Sequence, residues 1–88
     1  MIYMLCRNRV ADYQIWKRKF DAQKEASLEA GLTLVNLWQS LEDSNNVFFF
    51  FKVDSLEKAK AFISAPGNAE IGKAAGVLDG DIHFVDGE

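Results

Sequence analysis

Four consecutive phenylalanines, Phe48 to Phe51, constrain this chain more than any other feature. Successive side chains of a β-strand point to opposite faces. With Val47, Lys52 and Val53 around it, the run reads as a strand of high β propensity with two rings on each face. Two further segments repeat the pattern. Met1-Ile2-Tyr3-Met4-Leu5-Cys6 is apolar on both sides, within a strand over residues 1–9. Residues 32–40 read as a strand with Leu32, Leu34, Asn36 and Trp38 on one face and Val35 and Leu37 on the other. A sheet with one face in water alternates apolar and polar residues. These strands do not, so they predict cover on both faces.

The segments between the strands predict what supplies the first cover. Asp12 is a helix N-cap, and Tyr13, Trp16, Phe20 and Ser27 fall on one stripe of a helix running to about Ala30, with Gly31 as its stop. Glu42-Asp43-Ser44-Asn45-Asn46 is a polar turn. Asp54 with Glu57 three residues on predicts a capping box for a second helix, whose apolar side is Leu56, Ala59, Phe62 and Ile63 and which Pro66 ends. A short helical turn over residues 69–75, a stop at Gly76 and a turn at Asp79-Gly80 precede a last strand over residues 81–86. The order β-α-β-β-α-β is the ferredoxin-like split βαβ motif, an α+β fold. Its four-stranded antiparallel sheet carries both helices on a single face. The second apolar face then needs a second copy of the chain, giving a homodimer with an isologous sheet-on-sheet interface that closes a barrel.

At 88 residues the chain is expected to form one domain over 1–88. Hydrophobic residues at 49% and charged residues at 26% exclude a disordered protein. A net charge of −3, with no basic run longer than Lys17-Arg18-Lys19, argues against nucleic acid as a partner. Charge is uneven along the chain: residues 1–24 hold six bases and two acids, residues 76–88 four acids and no base. If the first and last strands are antiparallel neighbours, Arg7 or Arg9 meets Asp79 or Asp81. The single Cys6 excludes an internal disulfide and cysteine-rich zinc sites. The apolar start reaches Arg7 too soon for a signal peptide or a membrane span, so no membrane partner and a cytoplasmic location are expected.

The chain resembles the dimeric α/β-barrel superfamily, small ferredoxin-like domains related to the antibiotic-biosynthesis monooxygenases. The resemblance is carried by the apolar first strand, by Asp12-Tyr13-Gln14-Ile15-Trp16-Lys17 with Phe20, and by the segment from Phe51 to Phe62. Ser64-Ala65-Pro66 and the closing Asp81-Ile82-His83-Phe84-Val85-Asp86 complete it. It implies a homodimeric barrel and leaves several functions open, since the superfamily holds cofactor-free monooxygenases, haem-degrading enzymes and stress-response proteins. The haem-degrading relatives use an Asn near the end of the first strand, which Asn8 matches. They also use a His ahead of the last strand, where Asn68 to Gly76 has none, and a Trp where Val53 stands. The monooxygenase relatives commonly carry a His where this chain has Phe62. Haem degradation is therefore not expected, and no cofactor is implied.

His83 is the one side chain whose ordinary pKa lies near neutrality. Strand alternation sets it opposite Ile82 and Phe84. If those two pack under the helices, His83 faces the space between two sheets, as a candidate general base or ligand-orienting group. Trp38 and Asn36, on one face of the second strand, are candidate rim groups of a pocket for a small hydrophobic molecule. No metal site is expected from one His and one Cys. Two functions of different class remain: a homodimer that binds a small hydrophobic molecule or has only a structural role, without catalysis, and a cofactor-independent monooxygenase or cyclase-like enzyme on an aromatic or polyketide-like substrate.

Overall fold

A computed structural model of residues 1–88 shows a four-stranded antiparallel sheet with helices on one face. Strand β1 (Ile2–Val10) leads into helices α1 (Tyr13–Ala22) and α2 (Lys24–Glu29), followed by strands β2 (Leu32–Gln39) and β3 (Asn46–Val53). Helices α3 (Leu56–Ile63) and α4 (Asn68–Ala74) then lead to β4 (Val77–Asp86). The spatial order is β2-β3-β1-β4, with every neighbouring pair antiparallel. Each helical connection passes over one intervening strand, which is the ferredoxin-like arrangement. No helix is long and apolar enough to cross a membrane.

Local chemistry accounts for most of the boundaries. Asp12 Oδ1 accepts from the backbone N–H of Gln14 at 2.9 Å and of Ile15 at 3.3 Å, capping α1 as expected. Gly31 and Gly76, with φ of +77° and +82°, end α2 and α4 in the left-handed conformation that glycine adopts without strain.

Four local expectations are corrected. The stretch from 12 to 30 is two helices, because the Gln23 N–H turns back to Phe20 O at 3.0 Å. That i to i−3 bond tightens the helix and breaks its run. The cap of α3 is Ser55, whose Oγ accepts from Lys58 N at 3.3 Å. Asp54 is held back by its own N–H, bonded to Gly31 O at 2.9 Å.

The last strand begins at Val77, so Asp79-Gly80 is no turn but part of the ladder, opposite Arg9 and Asn8. Glycine is needed there for closeness: a Cβ on Gly80 would stand 2.5 Å from Arg7 O and 2.6 Å from Asn8 Oδ1. Finally, β2 carries an irregularity between Leu34 and Asn36. The extra residue, Val35, reverses the side-chain alternation. Leu32, Leu34 and Leu37 therefore share the face of Phe49, Phe51 and Val53, while Asn36 and Trp38 share that of Phe48 and Phe50.

The core lies between sheet and helices. Met4, Cys6, Phe49 and Phe51 from the two central strands are buried against Trp16, Ala59 and Ala75. Trp16 stacks on Phe20 with ring centres 4.7 Å apart and meets Phe49 at 5.6 Å. The phenylalanine run divides two and two, as strand alternation requires: Phe49 and Phe51 are buried, while Phe48 and Phe50 lie on the opposite face, which no helix of the chain covers.

Candidate functional site

On the helix side the two helical layers do not close over the sheet. A cleft of about 160 Å³ remains between α1–α2 and α3–α4. All four strands contribute to its floor, through Met4, Cys6, Asn8, Leu32, Phe49, Phe51, Val77 and Ile82. Trp16 and Phe20 form one wall, and Phe62 and Ile71 the other. Gly72 in α4 and Ala75 just past its end are small where they border it, which keeps the space open. A second groove of about 410 Å³ lies over β2 and shares Phe20, Ser27, Leu32 and Phe51 with the first.

Twelve of the cleft's 18 lining residues are hydrophobic, and the polar ones are few and specific. Asn8 is the one polar residue in the helix-facing series Ile2, Met4, Cys6, Asn8 of β1. Lys19, Gln23 and Ser27 come from the α1–α2 side and Asn68 from α4, where its Nδ2 donates to Ile63 O at 3.1 Å. An apolar concavity with a few polar groups is the usual form of a small-molecule site. Cys6 on the floor is buried, and burial pushes its thiol pKa up to about 12. It therefore stays a neutral thiol and acts as a small apolar surface. No three His, Cys, Asp or Glu side chains come together in a set that could hold a metal ion.

Sequence reasoning singled out Asn8 and Phe62 in this cleft but not Lys19, Gln23 or Asn68. One signal was available: Ser27, a polar residue on an otherwise apolar helical stripe, lines the cleft.

His83, Trp38 and Asn36 lie on the other, open face. Ile82 and Phe84 are on the helix side, level with Cys6 and Met4, so His83 projects from the face left uncovered, level with Leu5. One rung of that face runs His83, Leu5, Phe50, Asn36, and the next runs Asp81, Arg7, Phe48, Trp38. His83 therefore stands on one edge strand and Asn36 and Trp38 on the other. Three strand spacings, about 14 Å, separate them within one chain. Phe50 sits between the edges, stacked on Trp38 at 5.6 Å and edge-on to Tyr3 at 5.8 Å. Leu5, Phe48, Trp38 and Val85 are each between 37% and 49% exposed, so the open face is an apolar patch. None of His83, Trp38 and Asn36 lines the helix-side cleft.

One end of the open face is ionic. Arg7 Nη2 donates to Asp79 Oδ1 at 3.0 Å and Arg7 Nη1 to Asn46 Oδ1 at 3.0 Å, so Arg7 ties β1 to both its neighbours. Arg9 Nε holds the other Asp79 oxygen at 2.8 Å. Hydrogen bonds from Arg9 and then Arg7 keep the Asp79 carboxyl below its usual range. The uneven charge along the sequence is thus paired where the first and last strands meet.

No protein-family model matches the chain, and no curated protein does either. Solved structures do. An antibiotic biosynthesis monooxygenase superposes with a TM-score of 0.71 at 13% identity, over 100% of this chain and 99% of its own. The chain has the fold of the antibiotic biosynthesis monooxygenase-like proteins. A provisionally designated antibiotic biosynthesis monooxygenase from Bordetella bronchiseptica gives 0.77 at 13% identity, over 99% and 96% of the two chains. A conserved protein from Methanosarcina mazei gives 0.74 at 15% identity, over 99% and 92%. Within this monooxygenase-like fold, the positions that the family resemblance singled out converge: Asn8, Phe62 and residues of the 68–76 stretch all line the cleft, while Val53 does not.

Proposed function

We propose that the chain is a small homodimer, paired through the open face of its sheet, that binds a small hydrophobic molecule in the helix-side cleft. The observation that carries this reading is a single sheet with two apolar faces, one roofed by helices around a cleft and one left bare. A bare patch of this kind on a soluble chain is a protein interface or an aggregation hazard. A second copy covers it with matched shape, burying on the order of 2,000 Å² in total or less. The reading needs no cofactor, no metal and no nucleic-acid or membrane partner, and it suits a cytoplasmic protein with a reduced thiol.

Binding without catalysis is favoured over the enzyme reading by the cleft's titratable groups. No histidine or carboxylate is among them, and burial keeps Cys6 a neutral thiol, so the usual general acid–base side chains are absent from the lining. The fold neighbours named as monooxygenases support the alternative, a cofactor-independent monooxygenase or cyclase-like enzyme on an aromatic or polyketide-like substrate. A second ligand position, between the two sheets of the dimer, is supported by the open-face placement of His83, Trp38 and Asn36.

Light scattering and native mass spectrometry of freshly purified protein test the reading. Twice the 9.9 kDa chain mass, with a retained small molecule, is expected. Phe48→Asp should give monomer or unfolded chain, since the charge would be buried without a partner. A wild-type species of 9.9 kDa at micromolar concentration overturns the dimer. His83→Ala separates the two ligand positions: retention of the molecule by the variant dimer assigns it to the helix-side cleft, and its loss to the space between the sheets.

A further inference from the structure

We propose that the cleft takes a single-ring aromatic carboxylate, with Lys19 at its mouth selecting the anion. This rests on the reading of the cleft as a ligand site and adds the chemical class it accepts. Size and walls define the ring. An apolar cavity of about 150 Å³ accommodates a benzene molecule, and this cleft measures about 160 Å³. Trp16, Phe20, Phe49, Phe51 and Phe62 line it, and aromatic side chains pack a flat ring in stacked or edge-on geometry.

Charge defines the substituent. Lys19 is the only charged residue lining the cleft. Its neighbour Lys17 is neutralised one turn along α1 by Asp21 at 2.6 Å. The residue at the same spacing from Lys19 is Gln23, which also lines the cleft, so no carboxylate answers Lys19 along the helix. None of the fold's ion pairs includes Lys19. Lys19 is exposed as a whole residue while bordering the cleft, so its flexible stem lines the opening and lets its ammonium reach the mouth. An apolar molecule with its ring inside and a carboxylate at the opening would meet that ammonium in a charge-assisted hydrogen bond. Asn68 is already tied to Ile63 O, which leaves the amides of Asn8 and Gln23 and the hydroxyl of Ser27 to bond further polar substituents. One cation matches one negative charge; a phosphate dianion would call for more donors than stand here.

The test is a nuclear magnetic resonance titration of the intact protein and of Lys19→Met with benzoate and its near-isosteric neutral amide, benzamide. The Trp16 indole signal reports occupancy of the cleft, and the Trp38 indole on the opposite face serves as control. Benzoate should bind wild type roughly two- to fivefold more tightly than benzamide, the range of an exposed charged contact. Lys19→Met should level the two by weakening benzoate alone, and added salt should narrow the wild-type preference. Equal affinities in wild type, or a preference that survives in Lys19→Met, overturns anion selection while benzamide binding at Trp16 upholds the cleft as a site. If neither benzoate, benzamide nor chlorobenzene moves the Trp16 signal, the cleft reading falls and this proposal with it.

Discussion

Arg7 and Asp81 are register partners across the β1–β4 pair, and Arg7 Nε donates to Asp81 Oδ2 at 2.9 Å. Each member comes from one of the two oppositely charged ends of the chain. The same guanidinium reaches Asp79 and Asn46, so a single side chain on a central strand links three strands.

That network titrates in one direction. The Asp79 carboxyl is held below its usual range by hydrogen bonds from Arg9 and Arg7. A carboxyl with a depressed folded pKa contributes stability above its unfolded pKa, and the contribution is lost as pH falls through the folded value. Asp79→Asn should therefore lower the thermal midpoint at neutral pH. The gap between variant and wild type should close as pH drops below about 4, and should narrow in molar salt. Thermal scans across pH at two ionic strengths measure both effects.

Gly80 offers a sharp steric contrast with Gly67. A Cβ at Gly80 would meet Arg7 O at 2.5 Å, whereas nothing lies within 4 Å of one at Gly67. Gly80→Ala should force β4 away from β1 and destabilise the fold by about 1–3 kcal/mol, as overpacking does. Gly67→Ala should leave stability nearly unchanged. Urea melts of the two variants against wild type decide it; equal midpoints for both would mean that β4 sits less close to β1 than described.

Cys6 should be silent to thiol reagents in the folded protein. Burial pushes its pKa up to about 12, so the thiolate that reacts is scarce at neutral pH. A chromogenic disulfide reagent should label one thiol per chain in denaturant and almost none without it. The protected fraction should fall only as the sheet opens, making labelling at sub-denaturing urea a measure of opening of the core.

Much of this architecture was legible in the order of residues. The division of Phe48 to Phe51 between two faces follows from strand alternation alone, and so does the placement of His83 opposite Ile82 and Phe84. The caps and stops at Asp12, Gly31 and Gly76 are local chemistry, which a short window of sequence contains in full. The pairing of Arg7 and Arg9 with Asp79 and Asp81 needed only the strand order and the uneven charge. Where local reading failed, a distant backbone decided. Gly80 resembles a turn residue until β1 passes within contact distance of it. Asp54 resembles a cap until its N–H is drawn to Gly31 O. Val35 slips out of register in β2, which separates Trp38 from Leu32 and Leu34 and sets it on the open face with Phe50.

By its sequence alone, this protein is committed to a four-stranded sheet with apolar residues on both faces, because a strand's side chains alternate whatever surrounds it. The cleft was decided by tertiary structure. Asn8, the helical series Lys19, Gln23 and Ser27, and Phe62 come from three distant stretches of the chain, and no spacing rule relates one stretch to another. They border one space because two helical layers of limited width rest on a sheet too broad for them to seal, and a gap between packed layers exists only once the layers have met.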